Sequence, residues 1–330
     1  MDRGVTAGPD GTLLVIGDVI TDIVVRPRGP LAVGTDTAAS IRRLPGGAGA
    51  NVACWAVHEG CEDVRLFGRV GADAAVWHER ELVAAGVRPR LVVDEEAPTG
   101  TVVCLVDAGA SAERTFLTDS GASLRLAPGD WSDALLDGVG HLHLSGYLLF
   151  SAPSRALVAV ALEAARARGV PVSLDPASAG FLAELGADRF FSLVQGVDVL
   201  LPSHDEACLL TGLFRTDDSA ADAVVGAAAD AGAGAAVELS RRVPLVVAKL
   251  GADGAVVARG GAVCARVPAV PATPRDATGA GDAFTGAFLA ALLSGAGPAE
   301  AAARGCRAGA EAVERVGGRP ACIRPPAHGG

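Results

Sequence analysis

The chain has 330 residues, is 50% hydrophobic and carries a formal net charge of −10. That is enough apolar side chain for one large α/β domain or two smaller ones, and the acidic balance argues against nucleic acid or an anionic membrane as a partner. Lys249 is the sole lysine and it follows Ala248, which excludes a phosphate loop of the GxxxxGK[ST] type.

Residues 1–11 read as an irregular tail, and Asp2, Arg3 and Asp10 together with the lack of a long apolar stretch predict no signal peptide. The first β-branched run, Leu13–Gly17, is a short buried strand. GDVITD, from Gly17 to Asp22, puts Asp18 and Asp22 at its carboxyl end. Ligands of open α/β sheets sit there, and each carboxylate can accept hydrogen bonds from vicinal hydroxyls. Residues 23–43 break the pattern by alternating apolar and polar positions around Pro and Gly. PGGAGANVACWA, Pro45 to Ala56, is then a glycine-rich turn into a helix. Gly46 and Gly47 allow close approach of a polar ligand, and Asn51 offers a donor and an acceptor. Val52 stands where a dinucleotide fingerprint needs its third glycine.

A strand at Val64–Phe67 follows. Residues 99–118 repeat the alternation seen at 23–43, with TVVCLVD and ERTFLTD as half-exposed antiparallel strands. The two segments together predict a small β-sheet that projects from the main domain as a lid. Further strands at His141–Leu144, Val170–Leu174, Val197–Leu201 and Leu245–Leu250 alternate with Ala-rich helical stretches at Ser154–Arg168 and Asp217–Glu238. This rhythm predicts an α/β fold of three layers, a doubly wound, mostly parallel sheet with helices on both faces. One domain over residues 12–320 is expected, the lid segments inserted in it; the Gly- and Pro-rich stretch from Gly317 onward reads as irregular, with 321–330 as the tail.

LLPSHDEACLLTG, Leu200 to Gly212, places Glu206 between a strand and an apolar helix, where the helix dipole favours an acid. VVAKLGADGAVV, Val246 to Val257, ends a strand near Gly251 and Gly254, leaving room for a nucleotide within reach of the Lys249 ammonium. The six histidines show no metal spacing, and His141 and His143 share one strand face as structural residues. The seven cysteines are odd in number and form no CxxC pair, so free thiols in a reducing cytoplasm are expected.

DATGAGDAFTG, Asp276 to Gly286, carries the most chemistry. Small residues from Thr278 to Gly281 let backbone amides converge, and the apolar helix opened by Asp282 adds its positive dipole end. That arrangement suits the oxygens of a transferring phosphoryl group, and a carboxylate beside it is placed to accept a proton from an attacking hydroxyl. A lone GxGD reads first as a helix cap; Asp276 and Gly286 on either side favour chemistry.

These five segments, in this order and spacing, resemble the ribokinase-like, or PfkB, carbohydrate kinase family. Its C-terminal signature reads DTTGAGD, with Ala277 here replacing the first threonine. The resemblance implies Asp282 as catalytic base and Gly279, Ala280 and Gly281 as anion hole. Asp276 and Thr278 match a monovalent-cation (K+) site of some members. PGGAGAN resembles the N-terminal GGxGxN signature, so Gly46, Gly47 and Asn51 are implied to bind substrate hydroxyls. Asp22 matches the sugar-binding Asp, Asp18 a second substrate-side position. Glu206 matches the Glu of NxxE, which organises magnesium-bound water, while Ser203 replaces its Asn on the nucleotide side. Gly251, Gly254 and Lys249 match the nucleotide loop. Arg114 resembles a lid arginine that contacts a substrate acid or phosphate, and Tyr147 is expected to line the pocket.

The implied activity is transfer of the ATP γ-phosphoryl group to a sugar hydroxyl with Mg2+, in a cytoplasmic homodimer joined through the lid. Two alternatives stand beside it. One is a nucleoside kinase of adenosine or pseudouridine type, using Phe116 and Tyr147 as a shelf for the base. The other is a catalytically silent ligand sensor, for which the Ser203 departure speaks.

Overall fold

A computed structural model describes residues 11–106, 114–213 and 225–321. Its first third runs β1 (Thr12–Ile16), β2 (Ile20–Pro27), β3 (Ala39–Gly46), α1 (Ala48–His58), β4 (Val64–Gly71), α2 (Ala75–Ala84) and β5 (Arg88–Asp94). The middle holds β6 (Thr99–Val106), β7 (Arg114–Gly121), β8 (Val139–Ser145), α3 (Ala152–Arg168), β9 (Val172–Asp175), α4 (Ala179–Leu185), α5 (Ala187–Leu193) and β10 (Val199–Leu200). The last part holds α6 (His204–Thr211), α7 (Val225–Leu239), β11 (Leu245–Lys249), β12 (Ala255–Arg259), β13 (Ala262–Val267), α8 (Ala280–Leu293) and α9 (Pro298–Val313). Residues 107–113 of the expected lid, 217–224 of an expected helix and most of both expected tails lie outside the described residues.

The main sheet has nine strands in the order β13-β12-β11-β10-β9-β8-β1-β4-β5. All its pairs are parallel except β11–β12 and β12–β13. Successive residues of a strand point to opposite faces, and here both faces are dry. On β1, Leu14 and Ile16 join a core with α3 to α7, whereas Leu13 and Val15 join one with α1, α2, α8 and α9. Val246 and Ala248 of β11 face the first core, Leu245 and Val247 the second. Double-sided burial is why these strands read as unbroken apolar runs, and each fully buried Leu, Val or Ile contributes about 1.5–3 kcal/mol. The chain leaves β1 toward β4 and β5, then returns to β8 on the other side. The resulting switch point opens a crevice beyond the carboxyl ends of β1 and β8.

The lid is a separate four-stranded sheet in the order β3-β2-β6-β7. Its outer pairs, β2–β3 and β6–β7, are antiparallel, the second as expected for TVVCLVD and ERTFLTD, and the central pair β2–β6 is parallel, a pairing the alternation did not foretell. Each arm leaves the same edge of the main sheet as its first strand, so the two first strands run the same way. Among the described residues no helix is long and apolar enough to cross a membrane.

Candidate active site

A cavity of about 600 Å³ lies between the underside of the lid and the carboxyl ends of the main-sheet strands. From the lid, Val24, Val102, Cys104, Phe116 and Thr118 turn apolar or weakly polar groups into it; from below come carboxylates and the helix start at Gly279.

On one side the wall is built to accept hydrogen bonds. Asp22 of β2 lies directly over Gly46, where an added Cβ would sit 2.7 Å from Oδ1 and closer still to Oδ2 and Cγ. Gly46 therefore makes room for the carboxylate and does not itself reach the cavity. Among the described residues none donates a hydrogen bond to that carboxylate. Burial, opposed by the nearby Arg319 guanidinium and reinforced by Asp18, pushes its pKa up to about 7. Asp18 is already engaged: it accepts from the amides of Ala48 (2.7 Å) and Gly49 (3.2 Å) and from the Ser145 hydroxyl (2.9 Å). It lines the cavity while tying the N-terminus of α1, whose N-cap is Gly47, to β8. Asn51, in the first turn of α1, donates from Nδ2 to Asp282 Oδ2 at 2.8 Å. Among the described residues its buried Oδ1 has no partner, an acceptor open at the cavity wall.

Opposite stands the start of α8. Gly279 is the N-cap in the left-handed region, φ 76°, and a Cβ there would lie 2.7 Å from Gly318 O. Gly281 and Asp282 follow at N2 and N3 and face the cavity; Ala280 does not, packing instead with Trp55. Asp282 is half-exposed because it opens onto the cavity, yet protein surrounds it beyond that opening. Burial raises its pKa to about 7 against the Asn51 hydrogen bond, with Asp175 raising it and Lys249 lowering it. Asp276 is buried and accepts the Thr278 amide (2.8 Å) on one oxygen and the Gly317 amide (3.0 Å) on the other.

That last bond pins the start of the stretch read as irregular from Gly317 onward. Residues 317–319 are irregular but packed beneath the site. Trp55 Nε1 donates to Gly318 O at 2.9 Å, and Arg319 Nη2 donates to Gly46 O at 3.2 Å. Gly318 reads as loop composition, but here its missing side chain lets the backbone pass against Asn51 and Gly279.

The third wall carries the charged groups of α6 and β11. Ser203 and Glu206 form a reciprocal capping box: Ser203 N donates to Glu206 Oε2 at 2.7 Å and Glu206 N to Ser203 Oγ at 3.3 Å. Serine in place of asparagine thus keeps the cap and the carboxylate's orientation. Glu206 is buried, and burial followed by the Asp175 charge raises its pKa. Gly251 faces the cavity. Gly254 does not: with φ 87°, a Cβ on it would strike Val267 O and lie 2.6 Å from Ala269 N, so it serves the β11–β12 turn. Tyr147 lines the cavity, in edge contact with Phe181, and burial pushes its hydroxyl pKa upward. Arg114 opens β7, but its side chain lies outside the described residues.

Sequence reading missed Asp175, Ser145 and the 317–319 segment. Asp175 was within reach of the logic used for Asp18, since it too ends a strand at the ligand-binding edge. His141 and His143 share the Ser173 hydroxyl, each at 2.9 Å, and burial lowers both pKa values, to about 3 and about 4.

A model of the pfkB family carbohydrate kinases matches residues 10–324. The fructokinase of Klebsiella pneumoniae is 30% identical over 289 residues, 86% of this chain and 85% of that protein. The bifunctional protein HldE of Caulobacter vibrioides is 29% identical over 93% of this chain, which spans only 60% of that longer relative. Among solved structures, the adenosine kinase of Sinorhizobium meliloti superposes with TM-score 0.78 at 22% identity, covering 94% of this chain and 96% of that one. A candidate ribokinase II of E. coli, solved with ATP and Mg2+, gives TM-score 0.75 at 23% identity over 93% and 94%. At such identities the superpositions speak for the fold.

Proposed function

The chain belongs to the pfkB family of carbohydrate kinases, and from that premise we propose that it transfers the ATP γ-phosphoryl group to a sugar hydroxyl with Asp282 as general base. One observation carries the reading. Asp282 sits at the start of α8 with a pKa near 7, hydrogen-bonded to Asn51, in the same cavity as the Asp22 carboxylate, which accepts no hydrogen bond from the described residues. A carboxylate with pKa near neutrality is both ionised at working pH and basic enough to take a proton.

Asp22 and Asn51 Oδ1 accept hydrogen bonds from the sugar and orient it, and Asp18 holds the turn on which they rest. Asp282 receives the proton of the attacking hydroxyl. The amides of Gly279 and Gly281 at the start of α8 face the phosphoryl oxygens, whereas the Ala280 amide, expected to join them, donates to Ala277 O at 3.3 Å instead; Lys249 adds a fixed positive charge. Mg2+ and ATP fit this wall: Gly281 has no side chain to obstruct an anion, and the second oxygen of Glu206 is not committed to the cap. When bound, they supply the phosphoryl group and offset charge on its oxygens. Asp276 and Thr278 are the proposed monovalent-cation residues. The lid, residues about 23–43 and 99–118 of a domain over 12–320, excludes water and joins two copies of the chain through Ile41 and Leu117, which are 66% and 60% exposed. Size-exclusion chromatography with light scattering tests the dimer. Seven cysteines, an odd number with no CxxC pair, support a cytoplasmic enzyme.

Asp282→Asn tests the base. Turnover with ATP and the best acceptor is expected to fall about 10²–10⁴-fold, and near wild-type turnover would remove Asp282 from this role. A nucleoside acceptor is the second reading, favoured by Phe116, Tyr147 and Phe181 in the cavity wall. A thermal-shift panel of sugars, sugar acids and nucleosides separates the two.

A further inference from the structure

Lys249 is the only cationic side chain among the described residues that line the cavity. Around it stand the carboxylates of Asp175, Glu206 and Asp282, and despite burial, which alone would lower its pKa, Asp175 and Glu206 hold it charged. Its ammonium donates to Asp175 Oδ2. It also lies 3.4 Å from where a Cβ on Gly281 would be, against the Gly279–Gly281 turn.

Asp175 is clamped from three directions. Oδ2 takes the Lys249 ammonium from β11 and the Thr285 hydroxyl from α8 at 2.8 Å; Oδ1 takes the Ala177 amide at 3.3 Å. The turn that follows is strained: Ala177, also in the cavity wall, has φ 76°, the only non-glycine residue with positive φ among those described. Such strain persists only where the surroundings over-determine it. A buried ion pair contributes little to stability after desolvation, so stability alone does not account for a clamp of this kind at the edge of a cavity.

We infer that Asp175 is a positioning residue of the phosphoryl-transfer centre: anchored by Thr285, it holds the Lys249 ammonium against the Gly279–Gly281 turn, where it contacts nucleotide phosphate. This rests on the kinase reading above. It makes a prediction of unusual sign. If Asp175 acted only through its charge, removing one carboxylate from an anion site would tighten nucleotide binding. If it acts through Lys249, removing it loosens the ammonium and weakens binding.

The experiment is calorimetric titration of the whole chain with ADP and Mg2+, which needs no acceptor. Lys249→Met is expected to raise the dissociation constant about 10–100-fold, the span of a charge-assisted hydrogen bond. Asp175→Asn is expected to raise it about 10-fold, and the double variant to match Lys249→Met within about twofold, because both act through one contact. Thr285→Val, which removes a single bond to Asp175, is expected to cost about 2–10-fold and serves where Asp175→Asn does not fold. The melting shift produced by an acceptor from the panel should stay as in wild type for Asp175→Asn, which a general structural defect would not permit. Unchanged or tighter ADP binding by a folded Asp175→Asn overturns the inference, as does a double variant whose two losses multiply. Wild-type protein that binds no ADP at all sinks the kinase reading itself, a separate result.

Discussion

A single methyl group at Gly46 should disable acceptor binding. In Gly46→Ala the new Cβ would overlap Oδ2 and Cγ of Asp22 and lie 2.7 Å from Oδ1. Carbon and carboxylate oxygen rest at about 3.4 Å or more, so the carboxylate must move by about 1 Å or rotate away from the cavity. A displacement of that size costs about 10² in rate where groups must be aligned. Losing one or two hydrogen bonds to a charged acceptor, at about 1.5–3 kcal/mol each, gives a similar figure. The expected result is a fall in kcat/KM for the acceptor of about 10²-fold, carried mostly by KM, with the KM for ATP unchanged. A double-mutant cycle sharpens this. In Asp22→Ala the space over residue 46 is empty, so adding Gly46→Ala should cost no more than about twofold beyond Asp22→Ala alone. Steady-state kinetics on the four proteins, with melting curves to confirm folding, decides it. Gly46→Ala within threefold of wild type, or two losses that multiply, would refute the account of Gly46 as the seat of Asp22.

Ser203→Ala should lose the reciprocal cap of α6, lowering stability by about 0.5–2 kcal/mol, and raise the Mg2+ concentration for half-maximal rate; Ser203→Asn should keep both near wild type. Gly254→Ala should destabilise by at least about 2 kcal/mol, since both its φ and its contact with Val267 O forbid a side chain. Its KM for ATP should not change, and a raised KM would return Gly254 to the nucleotide site. The pH profile of kcat/KM should fall on the acid side below about 7, where Asp22 and Asp282 take up protons. Because the folded pKa of Asp282 lies above its unfolded value of 3.8, its stabilising effect is full below that value and lost as pH rises through about 7. Asp282→Asn should therefore melt higher than wild type at pH 8, by on the order of 1 kcal/mol after screening, with the gain shrinking as pH falls below about 7 and gone only below about 4. A gain that grows on acidification contradicts the raised pKa.

The three-layer α/β architecture and the family were legible in the sequence for physical reasons. Strands dry on both faces must be apolar throughout, as Leu13–Ile16 and Leu245–Ala248 are, and the helix starts that line the crevice carry Gly, Asn, Asp and Glu at fixed local spacing. Local spacing suffices where one short segment makes the geometry, as in the turn from Asp276 into α8 or the Ser203–Glu206 cap. It does not reveal what a segment meets across the fold. Asp18 and Asp22 read alike in GDVITD, yet Asp18 is bound by Ala48, Gly49 and Ser145 while Asp22 stays open over Gly46. Gly251 and Gly254 read alike, yet only Gly251 faces the cavity. The parallel pairing of β2 with β6, the wedge of residues 317–319 beneath Asn51, and the clamp of Asp175 on Lys249 join segments from 74 to more than 260 positions apart. Such partners are chosen by how two faces of a sheet bring distant strand ends together, and no periodicity along the chain records that choice.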